Sequence, residues 1–101
     1  MAACKKKSVL DVLYIIASLK EVKVFDVSRG KKYKHDDDTG RICCSIERNS
    51  RKDLPWLLVT VLRHPKKEVQ KIHVLVTDLE AGKNAILSAL KNANIPIYST
   101  F

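Results

Sequence analysis

The side chains with the plainest chemistry in this sequence are cationic. Ser50, Arg51 and Lys52 stand together just ahead of an apolar run, with Arg48 close before them. Arg29, Lys31, Lys32 and Lys34 make a second group. Guanidinium and ammonium groups grip phosphate oxygens, and a serine hydroxyl adds a further hydrogen bond. Tyr33 and Trp56 lie beside these groups and are candidates to stack on bases, although Trp56 in an apolar run also reads as core. Thr77-Asp78-Leu79-Glu80-Ala81-Gly82-Lys83 opens a helix after a strand, where nucleotide-binding proteins hold a glycine-rich phosphate loop. One glycine and two acids fail that pattern. What remains is a single phosphate contact at Lys83, beside Gly82.

Other chemistry finds no constellation. His35, His64 and His73 are far apart, and none has a metal-ligand spacing with Cys4, Cys43 or Cys44. Asp36, Asp37 and Asp38 lack the loop register of a calcium site. No nucleophile stands with an acid and a base, so the expectation is a nonenzymatic protein with no catalytic residues, no metal and no cofactor. Cys43 and Cys44 are adjacent and on a strand point to opposite faces. Three cysteines make no disulfide framework, which points to a reducing intracellular compartment, cytoplasm or mitochondrion.

The charge balance agrees with the cationic groups. The chain has 101 residues and a net charge of +8. Between Ser28 and Lys71 it holds 12 Lys or Arg and 6 Asp or Glu, so that segment alone carries +6. A basic middle on a folded domain favours a polyanion, most often nucleic acid. At 46% hydrophobic the chain folds, and its length suits one domain, with Met1 to Lys7 as a mobile basic start. No apolar run reaches the roughly 20 residues of a membrane span, and no secretory signal stands out.

The elements that must position these residues are read from periodicity. Ile72, Val74 and Val76 alternate as in a strand; Ile86, Ala89, Leu90 and Ala93 recur at helical spacing; Ile95, Ile97, Ser99 and Phe101 alternate again. Asn94 and Pro96 stop the helix. Two strands joined by such a helix should lie parallel, with a right-handed crossover. Val22 to Val27 alternates as a strand. Val9 to Ala17 fits a helix face through Val9, Val12, Leu13 and Ile16, but its β-branched content favours a strand forming a hairpin with Val22 to Val27. Lys32 to His35 and Arg41 to Arg48, around the turn Asp36 to Gly40, read as a long basic hairpin with Ile42, Cys44 and Ile46 on one face. Asp53 and Pro55 suit a helix start over Trp56 to Arg63, although Leu57, Leu58, Val59, Val61 and Leu62 also fit a buried strand. Pro65 to Lys71 reads as one or two helical turns. The fold class is therefore α/β: a single mixed-sheet domain with a C-terminal strand-helix-strand crossover and a long basic hairpin.

This order, with particular residues, resembles the small-subunit ribosomal protein eleven family. Val12-Leu13-Tyr14-Ile15-Ile16-Ala17-Ser18 is similar to that family's first strand. Ser50-Arg51-Lys52-Asp53-Leu54-Pro55-Trp56 resembles its Ser-Arg-Lys-x-x-Pro-aromatic segment. Val74 to Ser99 resembles its strand, turn, helix and final strand, with Gly82, Lys83, Ala85, Leu87 and Leu90 in matching roles. The family's turn has several glycines where this chain keeps Gly82, so the resemblance is to a divergent member. It implies contacts with structured small-subunit ribosomal RNA at Ser50, Arg51, Lys52 and Lys83, beside neighbouring ribosomal proteins, with no membrane and no small-molecule substrate. The rival expectation is a small α/β protein-interaction or ligand-binding regulatory module that needs no basic patch.

Overall fold

The computed structural model describes residues 9–29, 42–49, 55–64 and 67–101. Elements follow in the order α1 (Val9–Ala17), β1 (Val22–Arg29), β2 (Cys43–Arg48), β3 (Trp56–His64), β4 (Lys67–Val76), α2 (Leu79–Asn92) and β5 (Ile97–Thr100). The strands form one five-stranded sheet in the order β1-β4-β3-β2-β5. All neighbours are antiparallel except β2 and β5, which are parallel. This is a single small α/β domain with a mixed sheet. Among the described residues no helix is long and apolar enough to cross a membrane.

Period-two alternation builds the core. Cys44 and Ile46 on β2, Leu57, Val59 and Val61 on β3, and Ile72, Val74 and Val76 on β4 share one face and are buried. Val12 and Ile16 of α1 and Ile86 and Leu90 of α2 join the same cluster, so both helices cover that face. Each of these helical side chains is fully buried, which removes about 1.5–3 kcal/mol worth of apolar surface from water apiece.

Three expectations are corrected. Val9 to Ala17 is a helix, not a strand. Val12 and Ile16, four apart, are buried while Tyr14 between them is exposed, so burial of one helical stripe outweighs β-branched propensity. The stretch expected to turn a hairpin instead ends the helix, through Ser18 N–H to Tyr14 C=O at 3.1 Å and Leu19 N–H to Ile16 C=O at 3.2 Å. Trp56 to Arg63 is a strand, the option its apolar run had left open. β3 is central, and its alternate residues Trp56 and Leu62 are buried on the face away from the helices, as a strand apolar on both sides should be. Of Pro65 to Lys71, expected as helical turns, the described residues Lys67 to Lys71 are strand instead, since β4 begins at Lys67 and pairs with both β1 and β3.

The C-terminal unit keeps its elements but differs in pairing. The antiparallel steps from β4 to β3 to β2, followed by the parallel step to β5, make β4 and β5 run the same way. They are not neighbours, because β3 and β2 lie between them. Asp78 caps α2, its Oδ1 accepting from Ala81 N–H at 2.9 Å. At the other end Asn94 takes a left-handed φ of 59°; its N–H reaches Lys91 C=O at 3.0 Å and Ile95 N–H reaches Leu90 C=O at 2.9 Å. That is a Schellman ending, and it explains why Asn94 stops the helix. Gly82 is buried because α2 starts close against β4: a Cβ there would sit 2.4 Å from Val76 Cγ1. Its role is packing, where the sequence had suggested a phosphate contact beside Lys83.

Candidate nucleic-acid interface

The cationic residues divide into those the sheet positions and those outside the described residues. Lys31, Lys32, Lys34, Tyr33, Ser50, Arg51 and Lys52 lie outside them, as do Met1 to Lys7, Asp53 and the aspartate-rich hairpin tip. Arg29 ends β1 and Arg48 ends β2, where it is exposed. Arg29 pairs with Gln70, Gln70 with Val61 and Val61 with Cys44, four residues before Arg48. Three strand spacings and four residues of rise put the Arg29 and Arg48 backbones about 20 Å apart. β1 therefore ends, and β2 begins, at one end of the sheet, while Arg48 and the start of β3 lie at the other. β2, the expected second arm of the basic hairpin, has β3 and β5 as its neighbours.

Lys83 sits on the first turns of α2 and is engaged within the fold. Its Nζ lies 3.3 Å from Glu80 Oε1, 3.5 Å from the Phe101 carbonyl oxygen and 4.9 Å from the Phe101 ring centroid. These contacts tie α2 to the chain just after β5, where Phe101 N–H also donates to Ile46 C=O at 3.2 Å. A phosphate at Lys83 would compete with the Glu80 carboxylate.

The sheet face away from the helices holds a second set of polar groups. Cross-strand rows on it read Lys23, Leu75 and Trp56; then Asp26, His73, Leu58 and Glu47; then Ser28, Lys71, Thr60 and Ser45. Its middle is closed: Trp56, Thr60, Leu62 and Ser45 are all buried. Its β1 border is open, with Lys23, Phe25 and Asp26 exposed. Trp56 is thus core in its own right, and its indole meets Phe25 edge to face at 4.6 Å between centroids and 89° between planes.

His73 lies half-buried on the inner strand β4 at the centre of a small network. Its Nδ1 is 3.2 Å from Asn49 Nδ2 and its Nε2 is 3.5 Å from Ser28 Oγ, so β1, β4 and the end of β2 are linked across the face. With the Asn49 amide donating to Nδ1, the ring proton sits on Nε2 and faces Ser28. Sequence spacing could not reveal this cluster, because its members are 45 and 24 residues apart.

Cys44 points into the core and Cys43 to the other face, opposite Leu62. Burial pushes the Cys44 thiol up to about 12, with the neighbouring Cys43 charge adding to the rise; burial also raises Cys43. Among the described residues no three His, Cys, Asp or Glu are grouped to hold a metal ion. No family model, curated protein or solved structure matches this chain.

Proposed function

We propose that this is a nonenzymatic RNA-binding protein that acts by neutralising phosphates, as the small-subunit ribosomal protein eleven resemblance implies. The observation that carries the reading is the +6 excess between Ser28 and Lys71, within a chain of +8. The sheet carries residues of that segment on several strands, with the Arg29 and Arg48 backbones about 20 Å apart across it. In this reading Arg48, Ser50, Arg51 and Lys52 serve one pole, and Arg29, Lys31, Lys32 and Lys34 serve the other. A polyanion touching both must be long, and structured ribosomal RNA is. Lys83 contributes least, since its ammonium already faces Glu80 at 3.3 Å.

A salt titration against a structured RNA tests this. Binding should weaken steeply with salt, and replacing both Arg51 and Lys52 with alanine should lower the slope of log K against log salt by about 2. An affinity indifferent to salt would end the proposal. A second reading, a protein-interaction module, draws on the exposed apolar side chains Leu10 and Tyr14 on α1 and Tyr98 and Phe101 at β5. It expects a purified protein free of nucleic acid that forms a defined oligomer. In a ribosomal setting the same side chains would meet neighbouring proteins.

A further inference from the structure

We infer that the β1 border of the sheet's second face binds one unpaired base of single-stranded RNA by stacking it on Phe25. The inference rests on the RNA-binding reading and adds a base contact to what was otherwise a phosphate surface.

Phe25 is 61% exposed, although it lies on β1 beside a closed core. Its placement is built rather than incidental. The register between β1 and β4 slips between Val24 and Asp26, so Phe25 is the extra residue of a β-bulge with no partner on β4. Bulges re-aim a side chain relative to the ladder. The edge-to-face contact with the buried Trp56 then holds the ring. In that arrangement the indole meets at most one face of the phenyl ring, so at least one face is clear of it. A fixed, exposed aromatic face is what base stacking needs, because every base offers a π-face and little ordering entropy is lost.

The surroundings suit a base with its phosphate. Lys23, exposed two residues before Phe25, supplies positive charge for the backbone. Ser28, His73 and Asn49 lie on the same face; both ring nitrogens of His73 are engaged, but the Ser28 hydroxyl and the Asn49 amide have more hydrogen-bonding capacity than their one contact each to that ring uses. Asp26, also exposed, pairs with His73 across the β1–β4 ladder. An ionised carboxylate only accepts hydrogen bonds, so it favours a base with an exocyclic amino group such as adenine and disfavours a phosphate at that spot. An apolar protein partner would find little contiguous surface here, since Lys23 and Asp26 flank the ring.

Trp56 is the only tryptophan of the chain and touches Phe25, so it reports on this site. A ten-nucleotide oligoadenylate should quench its fluorescence. Phe25→Ala should weaken binding of that oligonucleotide about 5- to 150-fold, which is the 1–3 kcal/mol of one stacked base. Phe25→Tyr should keep the wild-type affinity. The Phe25 ring is exposed, so both variants should melt close to wild type. A parallel titration with a structured RNA separates the failures. If that RNA binds with a steep salt slope but Phe25→Ala binds oligoadenylate as tightly as wild type, or oligoadenylate does not bind, the stacking site is refuted and the phosphate surface stands. If neither RNA binds, both fall.

Discussion

Cys43 and Cys44 are neighbours in sequence with opposite surroundings, and the difference is measurable. Cys44 is fully buried, and its thiol is held neutral up to about 12 against an ordinary 9.0. The sign follows from linkage. A raised folded-state value leaves stability intact below pH 9, where both states are protonated. Above that the unfolded chain releases the proton and the folded chain does not, so stability falls until about pH 12. One group costs about 1.4 kcal/mol per pH unit in that window. Urea denaturation at pH 8 and pH 10.5 should show wild type losing about 2 kcal/mol relative to Cys44→Val, which lacks the titrating thiol. The opposite orientation of these two side chains was legible, because adjacency on a strand dictates it. Which one faces the core was legible as well, from the alternation with Ile42 and Ile46. The network of Ser28, Asn49 and His73 was not, since nothing in a sequence announces which strands will lie side by side.

Elements of the chain were legible where period and capping agreed. β1, β2 and α2 are such cases: α2 has Asp78 at one end and Asn94 at the other, with Ile86 and Leu90 between. α1 was misread because Val9, Val12, Ile15 and Ile16 are β-branched, and only its packing against β1 and α2 settles the matter. The two structures make different demands on residue 14. In a strand Tyr14 and Ile16 would share a face; in the helix they do not. Ile16→Ala should therefore cost about 2–5 kcal/mol in thermal or urea unfolding, and Tyr14→Ala no more than about 0.5. Equal losses would contradict the helix. β3 was misread in its first assignment because a central strand loses the alternation that marks a half-exposed one. Trp56, Leu58 and Leu62 are apolar on the side where an edge strand would be polar.

At the level of the whole molecule, one cluster joins both helices to four of the five strands, from Val12 to Ile95. Such a core should come apart as a unit. Trp56 lies on the sheet face opposite the helices, so its fluorescence and the far-ultraviolet helical signal sample different sides. Leu90→Ala, a truncation on α2, should shift both transitions together by about 2–5 kcal/mol. Separate midpoints would show that the helix layer melts apart from the sheet. The α/β class and the mixed sheet were legible, because strand and helix periods alternate along the chain. The strand order was not. The C-terminal crossover spans two intervening strands, β3 and β2, and their position between β4 and β5 follows from antiparallel pairing of segments whose own type was ambiguous.

The slip at Phe25 also bears on what β1 cannot do. Among the described residues β1 forms one outer rim of the sheet, with eight residues of backbone that no described strand pairs on that side. A rim of that length, if flat, invites a foreign strand and with it self-association. The irregularity breaks the spacing of amides and carbonyls midway, so an incoming strand cannot keep register along the whole rim. At the far rim β5 offers only four residues. Among the described strands the two outer ones are thus guarded differently, by distortion at one and brevity at the other.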